Sequence, residues 1–168
     1  MITTIALIIG FIFLLTYVYG SISAAPWVPT KKSDIGRFLD IAEIKKGDIV
    51  MDLGCGDGRL LFGAAKRGAK GIGYEVSLLP YLLAKMQSYF LKEDVKIMYK
   101  DFWGADISKA DVIYVFLMRD TYPKLLKKID KEEKKGAKLI TYVWPIPDRE
   151  AYKEDKLDKK CNLYCYKI

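Results

Sequence analysis

The 168-residue sequence contains no histidine, which removes an imidazole base, a Ser-His or Cys-His nucleophile and any histidine-containing zinc site. Its three cysteines, Cys55, Cys161 and Cys165, are too few for a disulfide framework or a four-thiolate metal site. They read as reduced thiols of a cytosol-like compartment, and no metal is expected. Charge is absent from the first thirty residues, so all 28 basic and 21 acidic side chains fall between Lys31 and Ile168. That charged remainder is long enough for one ordinary domain, with little left for a separate substrate domain. No internal repeat is present. The net charge of +7 fits a nucleic-acid partner, anionic lipid or plain solubility. Because lysine dominates and is scattered among acids, a solvated surface is the preferred reading and nucleic acid is an unlikely partner.

What fills the charge-free start is an apolar run from Ile2 to Tyr19 that continues weakly to Ala25. As a helix it would extend ~36 Å, enough to cross a bilayer. Ser21, Ser23, Ala24 and Ala25 would also suit a cleaved signal peptide, but the run lacks a basic start and exceeds a usual signal core. Residues 1–25 are therefore expected to be a retained transmembrane anchor. Lys31, Lys32 and Arg37 follow it closely, which places the folded domain on the cytoplasmic side of a single-pass membrane protein. Residues 26–33 form a linker stiffened by Pro26 and Pro29, and residues 34–168 form the domain.

The centre of that domain is Val50-Met51-Asp52-Leu53-Gly54-Cys55-Gly56-Asp57-Gly58-Arg59. Ile49 to Leu53 reads as a buried parallel strand, the alternate glycines permit a tight turn, and a helix starts near Arg59. Bare backbone at a strand end beside a helix N-terminus makes a nucleotide-type site. The spacing departs from a dinucleotide fingerprint, with Arg59 where the third glycine would fall. Asp52 and Asp57 would repel a pyrophosphate, whereas they suit a ligand carrying ammonium and sulfonium groups, as S-adenosylmethionine does. Glu75 closes a second strand, Gly71 to Glu75, at the distance of an acid that grips ribose hydroxyls. The pattern resembles the core of class I S-adenosylmethionine-dependent methyltransferases. The fold class expected is α/β, a doubly wound, Rossmann-like, mostly parallel sheet.

Around this core, Ile35, Phe38, Leu39 and Ala42 mark an amphipathic helix after a Ser33-Asp34 start signal. Ser77 begins a helix to about Leu91, and Val95 to Tyr99 forms a third strand ending in Asp101-Phe102-Trp103. Asp101 is equally readable as a turn residue or as the acid this fold places near adenine. Ala110 to Phe116 and Ala137 to Val143 supply two further strands around a helix from Thr121 to about Lys135. Glu150 to Lys160 is a mixed charge run expected to be a loop or frayed helix, leaving Asn162 to Ile168 as one final strand. The sheet is thus expected to be trimmed at its C-terminus.

The segment Phe116-Leu117-Met118-Arg119 lacks the Asn- or Asp-Pro-Pro-aromatic arrangement that holds a nucleobase amine, and no Pro-Cys nucleophile suits cytosine chemistry. Trp27, Trp103, Trp144, Tyr114, Phe116 and Tyr142 are available as desolvating walls, though for at least half of them aromatic core packing is the preferred reading. Together the anchor, the Pro26 to Thr30 box, D-L-G-C-G-D-G-R, G-Y-E, Asp101-Phe102-Trp103 and Trp144-Pro145-Ile146-Pro147 resemble the membrane-anchored lysine methyltransferases of the ATP synthase c subunit and the adenine nucleotide translocase. The resemblance implies that Asp52, Gly54, Cys55, Gly56, Asp57 and Gly58 hold the methionine end, Glu75 the ribose, and Asp101 with Phe102 the adenine. It also implies an acceptor channel flanked by Trp27, Pro29, Trp144 and Pro145, and a membrane-associated protein as substrate; by its position Asp120 is a conceivable base, a role that water could fill equally well. Ser77-Leu78 replaces the family's Asn-Pro, and Met118-Arg119-Asp120 departs from its pattern after the fourth strand.

Overall fold

The computed structural model describes residues 1–132, 134–156 and 161–168. Helix α1 (Ile2–Ser23) precedes α2 (Lys32–Ile41), β1 (Ile49–Leu53), α3 (Arg59–Lys66), β2 (Lys70–Glu75), α4 (Leu78–Leu91) and β3 (Val95–Tyr99). Then follow β4 (Val112–Val115), α5 (Tyr122–Glu132), β5 (Lys138–Tyr142), β6 (Lys153–Asp155) and β7 (Leu163–Lys167). The strands form one sheet in the order β3-β2-β1-β4-β5-β7-β6. Pairings among β1 to β5 are parallel, and β7 runs antiparallel between β5 and β6. Alternation along each strand divides the core. Val50, Val112, Tyr114, Ile140, Leu163 and Cys165 face α2 and α3, while Met51, Leu53, Ile113, Val115, Leu139 and Tyr164 face Leu125 and Ile129 of α5. This is the doubly wound arrangement, and β1, flanked by β2 and β4, sits where the strand order reverses.

Two expectations need correction. The charged run after Glu150 contains β6, which pairs antiparallel with β7 through Lys153, Glu154 and Asp155. The sheet therefore has seven strands, its trimming reduced to the shortness of β6. Three charged residues carry no strand signal of their own, but on an edge strand Glu154 stays exposed while Lys153 and Asp155 pair with Glu43 and Arg37. Leu157 to Lys160 of that run lie outside the described residues. The second concerns Asp34, which does not cap α2: the helix begins earlier, at Lys32, and Asp34 is buried. Its Oδ2 accepts the Tyr142 hydroxyl at 2.5 Å and its Oδ1 accepts Arg37 Nη1 at 3.2 Å. Arg37 also donates two bonds of 2.9 Å to the Asp155 carboxylate, tying α2 to the β6 edge. These bonds hold the Asp34 carboxyl below its ordinary pKa although burial opposes them.

Candidate active site

The turn after β1 is shaped by Gly54, Gly56 and Gly58, all with positive φ (100°, 55° and 76°). Glu75, at the end of β2, fastens it: Gly56 N–H donates to Glu75 Oε2 at 2.9 Å, while Val76 N–H and Ser77 N–H donate to Oε1 at 2.9 and 2.7 Å. One carboxylate thus ties two strand ends together. Gly73 lets α3 sit close against β2, because a Cβ there would lie 2.6 Å from Cys55 Sγ and 2.7 Å from Leu61 Cδ1.

These strand ends open onto a cleft at the reversal point of the sheet. Asp52, Gly54, Cys55, Gly56, Asp57, Glu75, Asp101 and Phe102 all line it, as do Trp27 and Pro29. Gly58 lies beneath the lining as the residue before α3, against Phe62 and Ile97. Trp144, Pro145 and Asp120 are exposed and do not line this cleft. Of the six aromatic candidates, Trp27, Tyr114 and Phe116 form its walls. Trp103 instead holds α1, Tyr142 holds Asp34, and the Trp144 carbonyl accepts hydrogen bonds from Thr141 and Tyr122.

The cleft is negative inside a positive protein. Four carboxylates, Asp52, Asp57, Glu75 and Asp101, meet only Arg59 and Lys100 among the lining residues. They are not equivalent. Arg59 grips Asp57 with Nε and Nη2 bonds of 2.5 to 3.0 Å, so the Asp57 charge is met locally. The sequence had presented Asp52 and Asp57 as a matched pair of free carboxylates, and only Asp52 remains unpaired. Its Oδ1 is buried with no hydrogen-bond partner among the described residues. Burial, then the neighbouring Glu75 and Asp57 charges, raise the Asp52 pKa well above the ordinary carboxyl value. A buried acceptor without a partner is costly, and a cationic ligand group would satisfy it. The same burial and carboxylates push the Cys55 thiol up, so it stays a protonated wall rather than a nucleophile.

Several lining residues carry no recognisable local signal. Gly20, Ser23 and Ala24 come from the end of α1 and form one side of the cleft. Tyr19 donates its hydroxyl to Asp101 Oδ2 at 2.7 Å, and Trp103 Nε1 donates to Ser23 Oγ at 3.1 Å. Asp101 Oδ1 meanwhile accepts Trp103 N–H at 3.0 Å, so this residue is both a turn former and part of the cleft. The following segment is equally fixed. Thr30 Oγ1 and the Tyr114 hydroxyl share a bond of 3.2 Å, Arg59 Nη1 donates to the Thr30 carbonyl at 2.9 Å, and the Trp27 indole lies over Gly56. Such contacts join residues more than twenty positions apart, and no motif announces them.

A seven-stranded sheet of this order, with a glycine turn and an acid at the ends of β1 and β2, defines a class I methyltransferase fold. Residues 52–153 match the model of the ANTKMT methyltransferase domain, and the chain belongs to that family. It is 32% identical over 150 residues to a protein-lysine N-methyltransferase of Saccharolobus islandicus, covering 85% of this chain and 93% of the relative. The human lysine N-methyltransferase of the ATP synthase c subunit is 29% identical over 73% of this chain, which spans 53% of that longer relative. Among solved structures, a Salinibacter ruber RNA methyltransferase in complex with S-adenosyl-L-homocysteine superposes with TM-score 0.80 at 26% identity, covering 84% of this chain and 94% of that one. The chain is an S-adenosylmethionine-dependent methyltransferase, and its partnerless Asp52 in an acidic cleft fits a cofactor with two cationic centres.

Proposed function

We propose that the chain N-methylates a lysine side chain of a membrane or membrane-associated protein, working from the cytoplasmic face of the bilayer entered by α1. The observation that carries this reading is the near full-length similarity to a protein-lysine N-methyltransferase. Helix α1 supports the location, being long and apolar enough to cross a membrane and almost wholly exposed. Asp52 would receive the ammonium of the methionine end, Glu75 the ribose hydroxyls, and Asp101 with Phe102 the adenine, while Gly54, Cys55, Gly56 and Asp57 shape the floor. When bound, the cofactor supplies an electrophilic methyl group on a sulfonium. The residues around it then have to present an amine lone pair in line and exclude water. A lysine at pH 7 must first lose its proton, at about 4.6 kcal/mol from a reference pKa near 10.4. Desolvation by Trp27, Tyr114 and Phe116 lowers that cost by disfavouring the ammonium form.

A second reading, RNA methylation, draws on the structural relative from Salinibacter ruber and on the net charge of +7. The acidic lining of the cleft argues against a polyanion entering it. Incubation with methyl-labelled S-adenosylmethionine and separated membrane, soluble protein and RNA fractions tests both. Enzyme-dependent methyl-lysine in a membrane protein, identified by mass spectrometry, is the expected result. Label confined to RNA or lipid would overturn the reading.

A further inference from the structure

Helix α4 carries a second apolar surface that the fold leaves open. Ala84 and Tyr81 face the core, yet Leu79, Leu82, Met86, Tyr89 and Phe90 recur at helical spacing on the outside, with Tyr89 and Phe90 78% and 72% exposed. A soluble surface helix would place charged groups there. No acidic residue occurs in α4, and exposed Lys85 and Lys92 flank the stripe. Its partner is indicated by α1. Thr16 Oγ1 accepts Leu78 N–H at 3.1 Å, satisfying the first amide of α4, and a Cβ on Gly20 would lie 2.8 Å from Ser77 Oγ. Tyr19 and Ser23 bind the domain as well.

With its last two turns fastened to the domain, α1 enters a bilayer fully only if the surface around the start of α4 comes down with it. Between α1 and the end of β3 lies an open, mostly apolar hollow lined by Leu15, Thr16, Tyr19, Val76, Tyr99, Lys100 and Asp101, whose carboxylate is held by the Tyr19 hydroxyl. We propose that the outer face of α4 is a second membrane-contact surface, seated among headgroups and upper acyl chains beside α1, with Lys85 and Lys92 toward anionic headgroups. The inference rests on the anchor reading of α1 and adds to it: the domain is not tethered above the bilayer but lies on it.

The full chain, with Cys161→Ser to remove the partly exposed thiol, is labelled with an environment-sensitive fluorophore at Met86→Cys, Phe90→Cys, Ile8→Cys or Lys66→Cys. Each is reconstituted into vesicles of phosphatidylcholine and phosphatidylglycerol, with or without lipid spin-labelled either near the headgroup or deep in the acyl chain, the latter to reach position 8. Labels at positions 86 and 90 should be quenched by roughly half or more, and the label at 66, on α3, should not. Quenching at 8 without quenching at 86 and 90 would overturn the proposal while leaving the anchor in place. Absence of quenching at all four positions would overturn both. Labels at 86 and 90 shielded from aqueous iodide yet untouched by lipid quencher would assign the face to another copy of the chain, which also overturns it.

Discussion

Replacing Asp52 by Asn sets stability and binding against each other. In the free protein Asp52 is buried without a partner for Oδ1, and burial with Glu75 and Asp57 nearby raises its pKa. The unfolded chain releases this proton near a reference pKa of about 3.9, while the folded chain retains it to higher pH. Between those two values the folded state binds more protons, so the contribution of Asp52 is most favourable below the unfolded pKa and declines as pH rises toward the folded one. The decline is about 1.36 kcal/mol per pH unit inside the window, and an amide, which does not titrate, escapes it. Asp52→Asn should therefore match wild type in stability at acid pH and exceed it increasingly toward neutrality. Cofactor binding should move the other way. Loss of a charge-assisted bond to the ligand ammonium is worth about 1.5 to 3 kcal/mol, or roughly ten- to a hundredfold in Kd. Denaturant titrations of the detergent-solubilised full chain across pH, with calorimetry for S-adenosylmethionine, measure both arms. Unchanged affinity, or a variant less stable than wild type at neutral pH, would refute the assignment.

Two other substitutions probe the walls of the same cleft. Tyr19→Phe removes the hydroxyl that holds Asp101 Oδ2, so cofactor affinity should weaken by about threefold in calorimetry while thermal stability stays within a degree or so of wild type. Gly56→Ala forces a side chain into φ of 55° and puts Cβ 2.4 Å from Trp27 Nε1, so about 1 to 2 kcal/mol of stability should be lost and the Trp27 fluorescence should shift as the indole is displaced.

Much of the fold was legible because its signals are local and repeat along each strand. The alternation in Val112 to Val115 and Lys138 to Tyr142 places successive side chains in opposite cores, and the strand ends fall within a residue or two of the apolar runs. Legibility stopped where an element owes its existence to a distant partner. Lys153-Glu154-Asp155 becomes β6 because β7 offers its edge and Arg37 clamps Asp155 from α2. Asp34 looked like a cap because an acid at a helix start usually is one, and only the tertiary placement of Tyr142 and Arg37 gives it a buried role.

The site divides in the same way. Strand, glycine turn and second acid lie on one continuous stretch, so their meeting at one cleft follows from connectivity alone. That Arg59 would occupy Asp57 two residues earlier depends on the helix start bending the chain back, and spacing does not disclose it. The larger gap concerns the N-terminus. Hydropathy reads α1 as an anchor, and the prolines mark residues 26–33 as a stiff spacer, but neither signal says that the domain is bonded to them. In the folded chain Tyr19, Ser23, Trp27 and Thr30 are each bound to the cleft or its supports. With α1 as the proposed anchor, fastening of this kind would fix the orientation of the cleft as well as its distance from the lipid. Under the anchor and acceptor proposed above, the substrate side chain has to reach this one position and orientation, which favours a segment of membrane protein near the bilayer surface over one that diffuses in from solution.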